Sequence, residues 1–176
     1  MVLGHKFFER PTLIVAKDLP GKYLVRRING KIKHFMITEV EAYDGFKDRA
    51  SHASRGKTKR NAPMFGEAGR WYVYFTYGMH YMLNIVCGPK NYPAAVLIRG
   101  INGINGPARI TKALKIDKKL NYQKANIKTG LWIENNSKIE NCKLKIENSL
   151  RIGVSYAGPV WSKKKWRFTL TQSAKY

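Results

Sequence analysis

The segment from residue 70 to residue 86, RWYVYFTYGMHYMLNIV, constrains the fold more than any other part of the chain. Aromatic and β-branched residues lie on both sides of a single glycine, Gly78, and this pattern predicts two strands joined by a tight turn. Because side chains alternate between the two faces of a strand, Trp71 should face one side, and Tyr72 and Tyr74 the other. The segment therefore predicts a β-hairpin with one apolar face for a core.

The turn of this hairpin carries unusually large side chains. Turn residues are usually small and polar, whereas Tyr77, Met79 and His80 surround Gly78. Two interpretations are open: the tip folds back onto the core, or it projects its side chains outward to a partner. Taken alone, the hairpin favours the first interpretation, and the charge and motifs described below favour the second.

The charge of the chain indicates what kind of partner it binds. Lysine and arginine number 33 against 11 acidic residues, which gives a formal net charge of +22. Such an imbalance destabilises the folded state through self-repulsion and is typical of proteins that bind polyanions, nucleic acid above all. A membrane surface is a weaker candidate, because the basic residues are spread along the chain and form no long amphipathic helix.

Length and cysteine usage limit the remaining possibilities. A chain of 176 residues that is 44% hydrophobic predicts a single domain over residues 1–176. Cys87 and Cys142 are far apart and lack metal-site spacing, which argues against a zinc site or disulfide framework and fits a reducing cytosol. No apolar run approaches the roughly 20 residues of a membrane span, and no secretory signal is visible. We expect a soluble, cytoplasmic protein of the bacterial cytosol or nucleoid.

A second predicted hairpin carries two carboxylates. Asn-Gly at positions 29 and 30 joins two segments, 22–26 and 31–43, whose patterns predict paired strands, and this is a strong hairpin signal. Strict alternation along the second strand puts four side chains on one face: Ile37, Glu39, Glu41 and Tyr43.

The two carboxylates lead to different expectations. Burying a carboxylate in an apolar strand costs folding free energy, so such a residue is expected to be paired with a positive charge or to have a catalytic role. For Glu39, solvent exposure or a salt bridge is the expected explanation. Glu41 is followed by Ala42 and Tyr43 and then by a loop, and a carboxylate at such a strand end is where a general base can reach substrate.

The loop of residues 44–69 is long and rich in Gly, Ser, Asn and Lys, which is more typical of a functional loop than of a simple connection. Lys57 and Arg60 in this loop, and Lys163 and Lys164 near the end of the chain, have side chains suited to phosphate oxygens. Solvated charged loops are the alternative interpretation for both segments. A lone histidine such as His52 is by itself a weak signal.

A series of motifs occurs in one order over nearly the whole chain. In sequence they are Glu41-Ala-Tyr43, Asp48-x-Ala-Ser-His52, Gly56-x-Thr-x-Arg-Asn61, Met64-Phe-Gly66, Tyr72-Val-Tyr-x-x-Tyr-Gly-Met79, Asn84, Ala95-Val-Leu-Ile-Arg99, Gly106-Pro107, Arg151-Ile-Gly153 and Trp166-Arg-Phe168. No motif is diagnostic singly. Together they closely resemble the alkyladenine (3-methyladenine) DNA glycosylases, a single-domain family that removes alkylated purines from DNA.

The resemblance implies a site that binds a base turned out of the duplex. Tyr43, His52 and Tyr74 match the residues that sandwich the flipped base, which stacking and cation–π attraction would hold. Tyr77 matches the side chain that wedges into the minor groove and fills the gap. Asn84 matches the residue that obstructs the 2-amino group of normal guanine.

The resemblance also implies the catalytic groups. Glu41 matches the general base that deprotonates the attacking water, and Arg99 and the main-chain carbonyl of Ile152 match two further groups that hold this water. No lysine suggests a Schiff base, so we expect hydrolysis without strand cleavage, and no metal or organic cofactor is implied. The implied substrates in double-stranded DNA are 3-methyladenine, 7-methylguanine, hypoxanthine and ethenoadenine, with no ranking among them.

The second half of the chain departs from the family pattern. After Arg99 the family usually continues Ala-Leu-Glu-Pro, whereas this chain has Gly100-Ile-Asn-Gly103 and a shorter connection to the predicted helix at Pro107. Residues 118–148 are rich in lysine and asparagine, and they predict a solvated pair of strands at Leu131–Glu134 and 143–146 with no chemistry of their own.

The expected fold is a single α+β domain with a curved, largely antiparallel sheet, short peripheral helices and the protruding hairpin 71–86. Part of this expectation rests on the resemblance, because strand periodicity alone leaves a barrel, a sandwich and an open sheet possible. A non-catalytic basic nucleic-acid-binding protein, associated with RNA or the ribosome, is the alternative function. Glu41 and Arg99 separate the two, since a binding protein needs no water-activating carboxylate. A monomer is expected.

Overall fold

A large, open sheet of antiparallel strand pairs organises the molecule, as seen in a computed structural model that describes residues 1–137 and 144–172. In chain order its strands are β1 (Tyr23–Ile28), β2 (Lys31–Asp44), β3 (Trp71–Thr76), β4 (His80–Val86), β5 (Ala94–Ile101), β6 (Ile104–Asn105), β7 (Leu131–Glu134), β8 (Lys145–Ser149) and β9 (Arg167–Gln172). The main path of the sheet runs β3-β4-β5-β2-β1-β7, while β6 pairs with β5, and β9 joins β2 to β8.

Short helices surround this sheet. They are α1 (His5–Phe8), α2 (Thr12–Asp18), α3 (Pro107–Ala113) and α4 (Gly158–Trp161), with 3₁₀ turns at His52–Arg55, Ala62–Phe65, Lys118–Leu120 and Ser155–Ala157. The predicted α+β class, with its antiparallel sheet and peripheral helices, is confirmed. No helix in the described ranges is long and apolar enough to cross a membrane.

Both predicted hairpins are present. Strand β3 pairs with β4 from Trp71 opposite Ile85 to Thr76 opposite His80. Trp71 packs in the main core, while Tyr72 belongs to a smaller cluster on the other face of the hairpin, as alternation predicts. The β1–β2 hairpin turns at Asn29 and Gly30, whose φ angles of 50° and 76° lie in the left-handed region that the asparagine–glycine pair tolerates.

The strict alternation predicted along β2 is wrong at one point. Ile37 was expected to share a face with Glu39 and Glu41, but it is fully buried in the main core with Val40. The reason is a β-bulge: opposite β5, the register shifts between Ile37 and Glu39 and again between Glu39 and Val40. Such an irregularity re-aims the following side chains.

One glycine that departs from the family pattern, Gly100, lies at this bulge. Gly100 lies opposite Glu39, and a Cβ added at Gly100 would come within 2.9 Å of the Cβ of Glu39. Glycine therefore lets β2 and β5 approach closely at this position.

The strand predicted at Leu131–Glu134 is present as β7, but its predicted solvated pairing with the second strand is wrong. β7 pairs with β1 and buries Leu131, Trp132 and Ile133, so it is part of the core. β8 pairs with β9 instead, and residue 143 of the second predicted strand lies outside the described residues. Cys87 is buried and free, and Cys142 also lies outside the described residues.

Candidate active site

A cavity of about 980 Å³ opens beside the β3–β4 hairpin, between the loop that follows β2 and residues 152–158. Eight residues predicted from the sequence line it: Tyr43, His52, Arg60, Tyr74, Tyr77, Asn84, Arg99 and Ile152. Glu41 does not line the cavity. It is fully buried directly behind the wall, where Tyr43, Arg99 and Ile152 contact it.

Aromatic rings form one wall of the cavity. The ring centroids of His52 and Tyr74 are 4.7 Å apart at an interplanar angle of 75°, and Tyr72 lies 5.0 Å from Tyr74. His52 Nδ1 is 2.9 Å from the Tyr72 hydroxyl. Burial, with a smaller contribution from Arg60, lowers the pKa of His52, so the ring is neutral at neutral pH. A neutral imidazole can contact a cationic ring without charge repulsion.

Tyr72 was not predicted as a site residue, although alternation places it on the same face as Tyr74. Its side chain is almost completely buried, and its hydroxyl fixes the orientation of His52. Asn84 is also buried, and its amide nitrogen donates to the carbonyl oxygen of Tyr72 at 3.1 Å. The amide of Asn84 is thereby held rigidly at the edge of the cavity.

Two hydrogen bonds and one ion pair hold the carboxylate of Glu41. The Ile152 amide donates to Oε1 at 2.8 Å, the Tyr43 hydroxyl donates to Oε2 at 2.9 Å, and Arg99 Nε lies 3.4 Å from Oε1. Burial raises the pKa of Glu41, and Arg99, the amide and the hydroxyl act in the opposite direction. A carboxylate with a raised pKa that is still stabilised as the anion is suited to accept a proton near neutral pH.

Glu39 forms salt bridges, which confirms one of the two explanations expected for it, the other being solvent exposure. Its Oε1 accepts hydrogen bonds from Arg99 Nε at 3.2 Å and from Arg167 Nη1 at 3.0 Å. The result is a four-member network in which two carboxylates, Glu39 and Glu41, alternate with two guanidinium groups.

A second buried ion pair was not predicted from the sequence. Arg151 binds both carboxylate oxygens of Asp48, at 2.6 Å and 2.9 Å, and neither side chain is exposed. Arg151 also donates to the carbonyl of Ala42 at 2.8 Å, and its guanidinium carbon lies 5.0 Å from the ring centroid of Tyr43. The pair therefore ties the end of β2 to the segment that supplies Ile152.

The hairpin tip points outward, so the interpretation that it folds back onto the core is wrong. Tyr77 is 83% exposed and Met79 is 68% exposed. Tyr77 has a φ angle of 52°, in the left-handed region, and the Met79 amide donates to the Thr76 carbonyl at 3.1 Å. The tight turn holds the tyrosine side chain in solvent beside the cavity.

The four basic residues predicted to contact phosphates lie in different environments. Lys57 and Lys163 are exposed, and Lys164 is half-buried, with its ammonium group 5.8 Å from the ring centroid of Trp161. Arg60 lies at the cavity, with its guanidinium carbon 5.0 Å from the ring centroid of Tyr74. Their contacts with phosphate remain predictions. Residues 1–137 and 144–172 contain no cluster of three or more side chains that could hold a metal ion.

These features define a class of protein. The chain is strongly basic, its cavity is walled by aromatic rings, and a buried carboxylate lies behind that wall. An antiparallel α+β fold with such a cavity beside an exposed hairpin is suited to enclose a nucleobase drawn out of DNA, as DNA glycosylases do.

Comparison with known proteins identifies the family. A profile of the methylpurine-DNA glycosylase (MPG) family matches residues 6–174. The chain belongs to this family, and it is a DNA glycosylase.

Similar proteins occur in several organisms. A Legionella pneumophila protein provisionally named a 3-methyladenine DNA glycosylase is 42% identical over 173 residues, which cover 94% of this chain and 92% of the relative. Proteins with the same provisional name from Methanocella arvoryzae and Streptomyces avermitilis are 39% and 40% identical. Those two alignments cover 95% and 94% of this chain, and 91% and 86% of the respective relatives.

Proposed function

We propose that residues 1–176 form one monofunctional glycosylase domain, which acts as a monomer on double-stranded DNA and excises damaged purines. The substrates we propose are 3-methyladenine, 7-methylguanine, hypoxanthine and ethenoadenine, and the reaction needs no metal or organic cofactor. The observation that carries the proposal is the set of contacts at Glu41, a buried carboxylate bound by three residues that line the cavity.

In this proposal the hairpin extracts the base and the cavity holds it. Tyr77 enters the minor groove and fills the space left by the flipped nucleotide, which offsets an unstacking cost of a few kcal/mol per base step. The base then stacks between Tyr43 on one side and His52 with Tyr74 on the other. The rigidly held amide of Asn84 excludes the 2-amino group of normal guanine.

The chemical step is the hydrolysis of the N-glycosidic bond. Glu41 takes a proton from water, the water oxygen bonds to C1′ of the sugar, and the electron pair of the broken C1′–N bond leaves with the base. Arg99 and the Ile152 carbonyl hold the water. The anionic carboxylate also stabilises the positive charge that develops on the sugar in an oxocarbenium-like transition state.

The cavity lining supports hydrolysis without strand cleavage. A lyase reaction through a Schiff base needs an amine close to C1′, and the described residues that line the cavity include arginines but no lysine. We therefore expect the enzyme to release the base and leave an abasic site in an intact strand.

The test is excision from duplexes that each carry one of the four lesions, without added metal and followed by alkaline cleavage of abasic sites. Glu41→Gln should bind lesion DNA like the wild type and lose excision by at least about 10²-fold, the scale of a lost general base. Glu147→Gln removes one charge from an exposed position on β8 and is the matched control. Excision by Glu41→Gln at the wild-type rate would show that Glu41 is not the base.

A non-catalytic nucleic-acid-binding protein is the second candidate, and the charge of +22 is the observation that favours it. It predicts tight, salt-sensitive binding with no abasic sites in any duplex of the panel. Both candidates predict that binding which neutralises about 6–10 phosphates weakens by roughly 10³–10⁵ between 50 and 200 mM salt. The excision assay therefore decides between them, while a flat salt response would contradict the electrostatic basis of both.

A further inference from the structure

Glu39 takes no part in the proposed reaction, yet it binds a residue that does. Its side chain is only 16% exposed, and its Oε1 accepts from both Arg167 and Arg99. Hydrogen bonds between ionised partners are roughly twice as strong as neutral ones. The ε N–H of Arg99 is therefore held firmly by Glu39.

Arg99 has a second carboxylate within reach but does not donate its ε N–H to it. Its Nε is 3.4 Å from Oε1 of Glu41, and the N–H is directed to Glu39 at 3.2 Å. A guanidinium group bonded directly to Glu41 would make this carboxylate a weaker base and occupy the lone pairs that a water molecule needs. The direction of the Arg99 ε N–H therefore affects how well the Glu41 carboxylate can accept a proton.

The backbone conformation at the bulge in β2 places Glu39 next to Arg99. The bulge in β2 places Glu39 opposite Gly100, the residue after Arg99, and also opposite Thr169 of β9. The contact is close, because a side chain at Gly100 would come within 2.9 Å of the Glu39 Cβ. Bulges often lie next to active sites, where they re-aim a side chain.

We propose that Glu39 is a positioning residue, which together with Arg167 anchors Arg99 beside Glu41 and prevents Arg99 from closing onto it. The inference rests on the proposed function, since it takes Glu41 as the general base and Arg99 as a group that holds the water. Glu39 itself touches neither the water nor the base. It keeps the ε N–H of Arg99 away from the carboxylate of Glu41, which the proposed reaction uses as its base.

The test compares two substitutions of Glu39 in single-turnover excision, with DNA binding measured in parallel. Glu39→Ala removes the acceptor, and the misplacement of Arg99 should slow excision by about 10²-fold, as small displacements in active sites do. Glu39→Gln keeps an acceptor at the same reach and should recover the greater part of this loss. Glu147→Ala, on the same sheet but exposed, should excise like the wild type.

A second measurement does not depend on activity. In ¹⁵N NMR spectra the Arg99 ε N–H should exchange slowly with water in the wild type and in Glu39→Gln, and should shift and exchange faster in Glu39→Ala. An unchanged Arg99 signal in Glu39→Ala would overturn the anchor, and so would wild-type excision by Glu39→Ala or equal losses in both variants. If the wild type excises none of the four lesions, the proposed function fails, while the NMR result still decides whether Glu39 anchors Arg99.

Discussion

The cavity wall and the hairpin tip distribute polar and apolar groups in opposite ways. Behind the wall, charged side chains are buried: Glu41 and Asp48 have no exposed surface, and Arg151 is 4% exposed. At the tip, large apolar side chains lie in solvent, with Tyr77 and Met79 both more than half exposed. Folded proteins usually bury large apolar side chains and expose charged ones, and each of these regions shows the reverse.

The two regions obtain their stability in different ways. Buried charges are tolerated only when they are paired and hydrogen-bonded, and Asp48 and Arg151 meet this condition within the folded chain. Such fixed groups suit a reaction, because they need no rearrangement when charge develops. The residues that the structure describes leave Tyr77 and Met79 at the tip largely exposed, and we expect DNA to supply their partner. Substitutions in the wall should therefore affect folding, and substitutions at the tip should affect function alone.

The largest expected effect comes from the buried ion pair of the wall. Asp48→Asn leaves the guanidinium group of Arg151 buried without its counter-charge, and breaking a buried pair in this way costs about 3–5 kcal/mol of unfolding free energy. Asp48 also accepts the backbone amides of Asp44 and Ala50, so the loop after β2 should loosen as well. Unfolding in urea, followed by circular dichroism, measures the loss.

An exposed ion pair is the control for this prediction. Arg10 and Asp18 are 2.9 Å apart, with side chains 36% and 43% exposed. Solvent screens such a pair, so Asp18→Asn should cost no more than about 1 kcal/mol. Equal losses of unfolding free energy from the two substitutions would contradict this prediction, because the stability of the wall would then depend no more on its buried charges than the surface does on its exposed ones.

The second expected effect lies at the tip and is functional. Tyr77→Ala should change the unfolding free energy by no more than about 0.5 kcal/mol, as exposed substitutions usually do. Excision from a duplex should fall by at least about tenfold, equivalent to ~1.4 kcal/mol of the lost wedge contribution. Excision of the same lesion from a single strand should fall less, because little unstacking is then required.

Tyr122→Ala is a closely matched control for the wedge. Tyr122 is also an exposed tyrosine with a left-handed backbone, 46% exposed and with a φ angle of 67°, but it does not line the cavity. It should leave both excision and stability close to the wild-type values. If Tyr77→Ala and Tyr122→Ala reduce duplex excision equally, exposure of an aromatic ring rather than its place at the tip explains the effect.

Local signals in the sequence predicted the parts of the fold that depend on neighbouring residues. The turns at Asn29-Gly30 and at Gly78 are encoded by a few adjacent residues, and both hairpins are present. The alternation of Tyr72 and Tyr74 likewise follows from the pleat of a strand. These features needed no knowledge of distant contacts.

Structural features that depend on contacts between residues far apart in the chain could not be predicted from the sequence. Asp48 and Arg151 are separated by 103 positions, and no local sequence pattern around either residue indicates that they form an ion pair. The bulge at Glu39 arises from the pairing of β2 with β5 and β9, so the pattern of β2 alone could not reveal it. Arg60 was grouped with the surface lysines on composition, and only the fold brings it against Tyr74.

The smallest expected effect is a pH-dependent gain in stability when the wall loses its buried anion. Burial raises the folded-state pKa of Glu41 above the ordinary glutamate value of about 4.3. A carboxyl group with a raised folded-state pKa contributes full stability below the ordinary value and loses that contribution as pH rises through the folded-state value. Ionisation of the buried Glu41 carboxyl group as the pH rises therefore lowers the stability of the folded state, and Glu41→Gln removes this cost.

Glu41→Gln should consequently melt at a higher temperature than the wild type at pH 7, and the difference should shrink as pH falls toward the ordinary glutamate range. The other acidic groups titrate in both proteins, so they cancel in the difference. Glu147→Gln removes an exposed glutamate of the same sheet and is the control, which should melt close to the wild type at pH 7. Thermal unfolding between about pH 4 and pH 8 covers the window in which glutamates titrate.

A melting temperature for Glu41→Gln below that of the wild type at pH 7 would mean that Arg99, the Ile152 amide and the Tyr43 hydroxyl more than offset the cost of burial. The wall would then gain stability from the same charge that it uses for the reaction, and the contrast with the tip would hold for exposure but not for stability.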